Sequence, residues 1–351
     1  MRGINYFMNN REHWLDTAKG IGILAVVAGH SSNMLAHTYL FWFHMPLFFI
    51  ISGYLYKNLD TMQALKSWVN KRTKQLLIPY VSFGLLISAI IYIQTFSIPQ
   101  LLMNFKMLTF GGESLTSYFG VFWFITCLYL TQILFAYIQL KIKKLPLRLL
   151  IILIFYVIAR IITTIPVLKG LIMPWNADVV FMAYVYYSIG FYGKDLIKKL
   201  IVKYSTLIIS LVLALVLVLS EINGLLNFRL DMKHNGYSVV GFDILIPVIF
   251  VLCIFAISYQ LSTIIKYNIL GYLGAASLTI MYLHLATNIL LQQLFSYSDI
   301  FTYTVIGILI PVIVHYFFLE KFNITRKLYL GVFKSKVLTG SASNNSGNNL
   351  N

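Results

Sequence analysis

Six ionisable residues interrupt runs that are otherwise apolar: His30, His44, Arg160, Asp243, His284 and His315. A titratable side chain at membrane depth is costly and is retained mainly where it faces a bundle interior or a wet cavity, so each is a candidate for chemistry. His30 and His44 form the most suggestive pair. Imidazole titrates near neutral pH, and two such rings in one cavity suit proton transfer. The connection between their segments, Ser32 to Thr38, is short enough to make them antiparallel neighbours.

Lys19 stands eleven residues before His30. On a helix that separation is roughly 16 Å along the axis, about half the hydrocarbon thickness, and close to three full turns. The two side chains therefore point the same way, and their shared face could line a passage from one membrane surface to the interior. The plainer reading of Lys19 is an interfacial anchor that snorkels to lipid phosphates. Gly20, Gly22, Gly29 and Ser31 thin this helix and allow a second helix or a ligand to approach closely.

The elements that position these groups are membrane spans. Of 351 residues, 59% are hydrophobic and only 11% charged, against roughly a quarter charged in soluble domains. Apolar runs bounded by charged or Pro/Gly-rich breaks predict an all-α, polytopic helical bundle of about ten transmembrane helices, at 20–36, 39–56, 76–96, 118–140, 149–166, 178–193, 204–220, 240–261, 269–292 and 300–319. Residues 1–335 read as a single membrane domain and 336–351 as a disordered polar cytoplasmic tail. The first run lacks a small-residue cleavage site and reads as a retained span. Cys127 and Cys253 lie inside apolar runs, which argues for core packing and against a disulfide framework or a metal site.

The formal charge of +16 invites a nucleic-acid reading, but its distribution opposes one. With the N-terminus cytoplasmic, 22 of the 27 lysines and arginines fall in cytoplasmic segments. That is the positive-inside pattern, which puts both termini in the cytoplasm and accounts for the charge through membrane lipids without a nucleic acid. The cytoplasmic stretch NKRTKQLLIPY, residues 70–80, is an ordinary basic loop in the plain reading; Lys71 and Arg72 would also suit a phosphorylated ligand. No Walker lysine motif, dinucleotide glycine fingerprint or H-E-x-x-H occurs.

These stretches together resemble the membrane acyltransferase-3 family, most closely its sugar O-acetyltransferase branch of fucose 4-O-acetylase type. Lys19, ten intervening residues and His30 match the basic residue and histidine of the family's first span. FHMPLFFIISGYLY (43–56) is similar to its second-span signature, and KRTKQLLIPY (71–80) to its basic loop. FWFI (122–125), with Trp123, resembles its mid-chain element, and SLTIMYLH (277–284) its late-span Ser-x-x-x-x-Tyr-Leu-His pattern. Two departures stand out. Lys19 replaces a more common arginine, and Thr126, Cys127 and Leu128 follow the Trp element where many relatives have a glutamate.

The resemblance implies transfer of an acetyl group from cytoplasmic acetyl-CoA, as co-substrate and with no metal, to a hydroxyl of a cell-surface glycan or its lipid-linked precursor such as O-antigen or capsule. It also implies a multi-pass protein of the bacterial inner membrane. Under it, Lys19, Arg72, Lys71 and Trp123 would hold the donor. His30 would be the general base, with His44, Ser31 or Tyr282 to orient it or stabilise the oxyanion. Tyr282, His284, Arg160 and Asp243 would contact the acceptor, although Arg160 could equally pair with an acidic residue. The segment EINGLLNFRLDMKHNGYSVV (221–240), with Arg229, Asp231 and His234, is the longest polar outer loop and a natural place for acceptor contact. A transporter or exporter of a surface polysaccharide or lipid-linked sugar is the rival, since ten spans with buried cations suit it too. Donor dependence separates the two, and oligomeric state is left open.

Overall fold

A computed structural model describes residues 12–265 and 269–333. The predicted tail, residues 336–351, lies outside the described residues. The chain is a polytopic helical bundle whose one sheet among the described residues is a two-stranded hairpin. Among the described residues the α-helices longer than a single turn are α1 His13–Gly29, α2 Met34–Phe41, α3 His44–Tyr54, α4 Met62–Thr95, α5 Ile98–Phe110, α6 Trp123–Lys141, α7 Leu145–Thr164 and α8 Val180–Tyr192. They continue as α9 Lys194–Ile201, α10 Tyr204–Ile222, α11 Phe242–Ile264, α12 Ile269–Ala275, α13 Ser277–Phe295, α14 Ile300–Ile313 and α15 Asn323–Leu330. The strands β1 Leu230–Asp231 and β2 Gly236–Tyr237 pair antiparallel between α10 and α11.

Among the described residues, eight helical stretches are long and apolar enough to cross a membrane, α2 and α3 counting as one and α14 continuing through residue 319. Two predicted spans are shorter than that. They are α1 and α8, and both are largely buried, so the stretches that meet the membrane's width surround them. At the periphery, α7 and α10 leave Leu150, Leu153, Leu211 and Leu215 exposed along their length. In lipid this is a satisfied surface, because a helix pairs its backbone internally and presents hydrocarbon outward.

Two spans are broken where the sequence reading drew them continuous. Pro46 has no N–H to give the carbonyl of Trp42 and crowds it, and the helical path fails at Trp42 and Phe43, where Phe43 sits at φ −139°, ψ −21°. The Trp42 indole donates to the carbonyl of Phe228, 3.1 Å away. The predicted span 269–292 is likewise interrupted at Ala276, between α12 and α13.

Close glycine contacts fix how the central helices meet. A Cβ on Gly20 would lie 1.9 Å from the carbonyl oxygen of Leu270, and one on Gly274 would lie 1.8 Å from that of Asp16. α1 and α12 therefore touch backbone to backbone, the close approach small residues permit in membranes. α3 and α8 repeat the device: a Cβ on Gly53 would meet the carbonyl of Tyr187, and one on Gly190 that of Ile50.

Candidate functional site

His30 caps α1, and its Nδ1 lies 2.8 Å from the carbonyl oxygen of Val26 one turn earlier. A carbonyl only accepts, so Nδ1 is the nitrogen that carries the proton and Nε2 is left with its lone pair. His44 repeats this arrangement at 2.7 Å with the Leu40 carbonyl, which the helix break has left without its usual partner. His284 repeats it on α13, with Nδ1 at 2.9 Å from the Ile280 carbonyl and 3.0 Å from that of Met281. The ring centre of His30 is 5.3 Å from that of His284 and 6.3 Å from that of His44. Three helices thus deliver three imidazoles in one tautomer, each with the lone pair on Nε2. Nε2 of His284 is buried with no partner.

His30 and His44 face a cavity of about 850 Å³. Lys19, Ile23, Val26 and His30 form one stripe of its wall, the i, i+4, i+7, i+11 face of α1. Trp123, at the start of α6, lines it as well. At the Lys19 end the wall also carries Arg72, His315 and Glu320. Lys19 is not a bare cation: its Nζ is 3.2 Å from Asp16 Oδ1. Arg72 donates from Nη1 to Gln75 Oε1 at 3.1 Å, and its Nε is buried without a partner. His315 sits in a π-helical turn, Val314–Leu319, with Nδ1 2.8 Å from Thr279 Oγ1 and Nε2 3.5 Å from Glu320 Oε1.

The hairpin β1–β2 covers the other end. Lys233 at its tip donates from Nζ to the carbonyls of Leu115 and Gly120, Asn176 Nδ2 donates to the Lys233 carbonyl at 2.8 Å, and Asn235 bonds Asp178. These ties hold Asp231, Lys233 and His234 against the cavity, where His37 also lies. His234 Nδ1 is 2.7 Å from Asp231 Oδ2. That hydrogen bond raises the His234 pKa above its ordinary value against the effect of partial burial. Burial pushes the Asp231 carboxyl upward, but the hydrogen bond and charge of His234 outweigh it and the net shift is downward. Burial lowers the Lys233 ammonium, with Asp231 opposing.

This arrangement can take a proton from a hydroxyl at His30 while an anion is held at the opposite end. The profile of the acyltransferase-3 family, described as an acyltransferase domain, matches residues 12–320. The chain belongs to this family. Curated relatives include the nodulation protein NolL of Mesorhizobium japonicum, 33% identical over 142 residues, which is 36% of this chain and 35% of that protein. Its counterpart in Sinorhizobium fredii is 38% identical over 91 residues, 22% of this chain and 25% of that protein. The matched stretch thus spans about a third or less of the curated relatives' length. No solved structure matches.

Of the residues singled out on the acyltransferase-3 resemblance, the structure gathers Lys19, His30, His44, Arg72, Trp123, Asp231 and His234 around one cavity, with the ring of His284 5.3 Å from that of His30. The others lie elsewhere. Ser31 donates from Oγ to the Ala28 carbonyl at 2.6 Å and accepts from Asn33 N at 3.4 Å, closing the end of α1. Lys71 is exposed and outside the cavity wall. Tyr282 is buried and stacks on Phe83 with ring centres 4.7 Å apart. Arg160 and Asp243 meet each other, Nη1 to Oδ2 at 3.1 Å, away from the cavity. Arg229 is exposed and apart from the cavity wall.

Sequence reasoning passed over Asp16, His37 and Lys233. Asp16 carried a usable signal, an acid three residues before Lys19 on one helical face. Lys233 carried only the signal of its loop, residues 221–240, and His37 carried none, because long-range packing brings both to the cavity. Among the described residues no group of three or more His, Cys, Asp or Glu side chains is placed to hold a metal ion.

Proposed function

We propose that the protein is a membrane-bound O-acetyltransferase of the inner membrane, with both termini cytoplasmic. In this reading acetyl-CoA gives its acetyl group to a hydroxyl of a surface glycan or a lipid-linked precursor. The observation that carries the reading is the continuous wall from Arg72 and Lys19 to His30, ending on a histidine whose Nδ1–H is committed to Val26. The donor's phosphates meet Arg72, whose unpartnered Nε and fork geometry suit them. Lys19, shared with Asp16, adds charge beside them. The pantetheine arm follows the Ile23 and Val26 stripe, so the thioester arrives near His30.

His30 Nε2 then takes the proton of the acceptor hydroxyl as its oxygen attacks the thioester carbonyl. The tetrahedral intermediate collapses, the C–S bond breaks, and the imidazolium returns the proton to the leaving thiolate. The products are the O-acetyl ester and free CoA thiol. His44, on the same cavity wall with its ring centre 6.3 Å from that of His30, orients the acceptor.

The test is mass spectrometry of the host's surface glycan from cells lacking the gene, complemented with wild type or His30→Ala. An acetyl mass present only with wild type, at equal protein level and glycan yield, is the expected result. Loss of the glycan itself in the deletion strain would favour an exporter instead.

A further inference from the structure

Beneath α5 lies a second cleft of about 650 Å³. α5 has two faces. Ile98, Leu102 and Phe105 are exposed on one side, while Gln100, Asn104 and Met107 line the cleft on the other. Gln94 and Thr95 at the end of α4 and Gln293 at the end of α13 complete the amide-rich wall. No charged side chain lines it among the described residues.

Asn104 is the informative residue. It is 1% exposed, and its Oδ1 accepts from Gln100 Nε2 at 3.0 Å, yet its Nδ2 is buried with no partner. Leaving a buried amide N–H unpaired is unfavourable, so a donor kept in a cleft wall calls for an acceptor oxygen from a ligand. Across the cleft, Gln293 Nε2 lies 3.4 Å from the Tyr118 hydroxyl, presenting a phenol ring and a second amide together. Thr116 and Ser117 line both this cleft and the main cavity, joining the two beside Lys233 and Gly120. Ser117 holds φ at 50°, in the left-handed region that a side chain disfavours. Such strained residues concentrate at ligand clamps.

Resting on the transfer reading above, we infer that this cleft binds an uncharged sugar unit next to the one that is acylated, so the acceptor is a chain of at least two units lying across Thr116 and Ser117. Amide and hydroxyl groups pair with sugar hydroxyls and acetamido groups, and an aromatic ring packs on sugar C–H faces. A uronate or a phosphate would be buried there without a counter-charge, so the unit in the cleft is neutral.

The experiment uses the full chain in lipid nanodiscs. The probe is surface glycan from host cells lacking the gene, cut to one-, two- and four-unit fragments, with binding read by saturation-transfer NMR and transfer by thiol release from acetyl-CoA. Two- and four-unit fragments should bind at least about tenfold more tightly than one unit. Asn104→Leu and Gln293→Ala should each bring the longer fragments down to the affinity of the single unit. Equal affinity at all lengths, an advantage that survives both substitutions, or no binding of any fragment would overturn the inference. Gln293 is exposed, so its variant carries the test if Asn104→Leu does not fold. Length-dependent binding without thiol release would keep the cleft and refute acyl transfer; thiol release without length dependence would do the reverse.

Discussion

The ring of His284 stands 5.3 Å from that of His30 at an interplanar angle of 69°, with its Nδ1 held by backbone carbonyls and its Nε2 sealed from the cavity without a partner. Under the proposed mechanism, a neutral imidazole lone pair beside His30 would stabilise the positive charge that develops as His30 takes the acceptor's proton. His284→Phe, which keeps a ring and removes the lone pair, should lower kcat by about tenfold, in line with loss of a short-range electrostatic contact to a developing charge, with the KM for acetyl-CoA unchanged. Steady-state thiol release measures both. An unchanged kcat would reduce His284 to a packing residue.

At the other end of the cavity, Arg72 and Lys19 differ in what they have left to give. Lys19 is engaged by Asp16 at 3.2 Å, whereas Arg72 retains an unpartnered Nε. Arg72→Ala should raise the KM for acetyl-CoA by about ten- to a hundredfold, the range of one or two charge-assisted hydrogen bonds. Arg72→Lys should recover part of that loss. Lys71→Ala, on an exposed side chain outside the cavity, is the control and should leave KM unaltered.

Arg160 and Asp243 form a pair whose carboxylate side chain is fully buried and also accepts from Tyr156 at 2.8 Å. Removing one partner strands the other charge, at a cost of about 3–5 kcal/mol. Arg160→Met should therefore lower the Tm of the purified protein sharply, and Arg160→Met combined with Asp243→Leu should restore much of it. If the double variant keeps transfer activity, the pair acts in folding. Activity lost at restored stability would return the two residues to acceptor binding.

The Asp231–His234 pair on the hairpin gives a pH signature. The folded pKa of His234 is raised above its ordinary 6.5, so its contribution is whole below pH 6.5 and disappears as pH rises through the folded value. That of Asp231 is lowered below 3.8, so its contribution is present above pH 3.8 and disappears as pH falls through the folded value. The Tm difference between wild type and His234→Gln should be greatest between about pH 4.5 and 6.5 and shrink toward zero in alkali. A difference that is flat with pH would show that the pair does not couple to folding.

Much of this protein was legible in its sequence. Long apolar runs leave a chain no alternative to helices in lipid, because every backbone polar group must be satisfied within its own segment. The spacing of Lys19 and His30 placed both on one face, since helical periodicity sets direction within a helix regardless of surroundings. Proline chemistry gives a reason for the break ahead of His44, in a span that its unbroken apolar run predicts as continuous.

Tertiary structure decided which faces meet. The spans are apolar nearly all round, so no strong polar stripe tells a reader which side of α13 or α11 turns inward. Packing is settled instead by small-residue contacts such as Gly20 on Leu270 and Gly274 on Asp16, whose partners lie far away in the chain. For that reason the approach of His284 to His30, the pairing of Arg160 with Asp243, and the joining of the α5 cleft to the main cavity appear only once the helices are assembled.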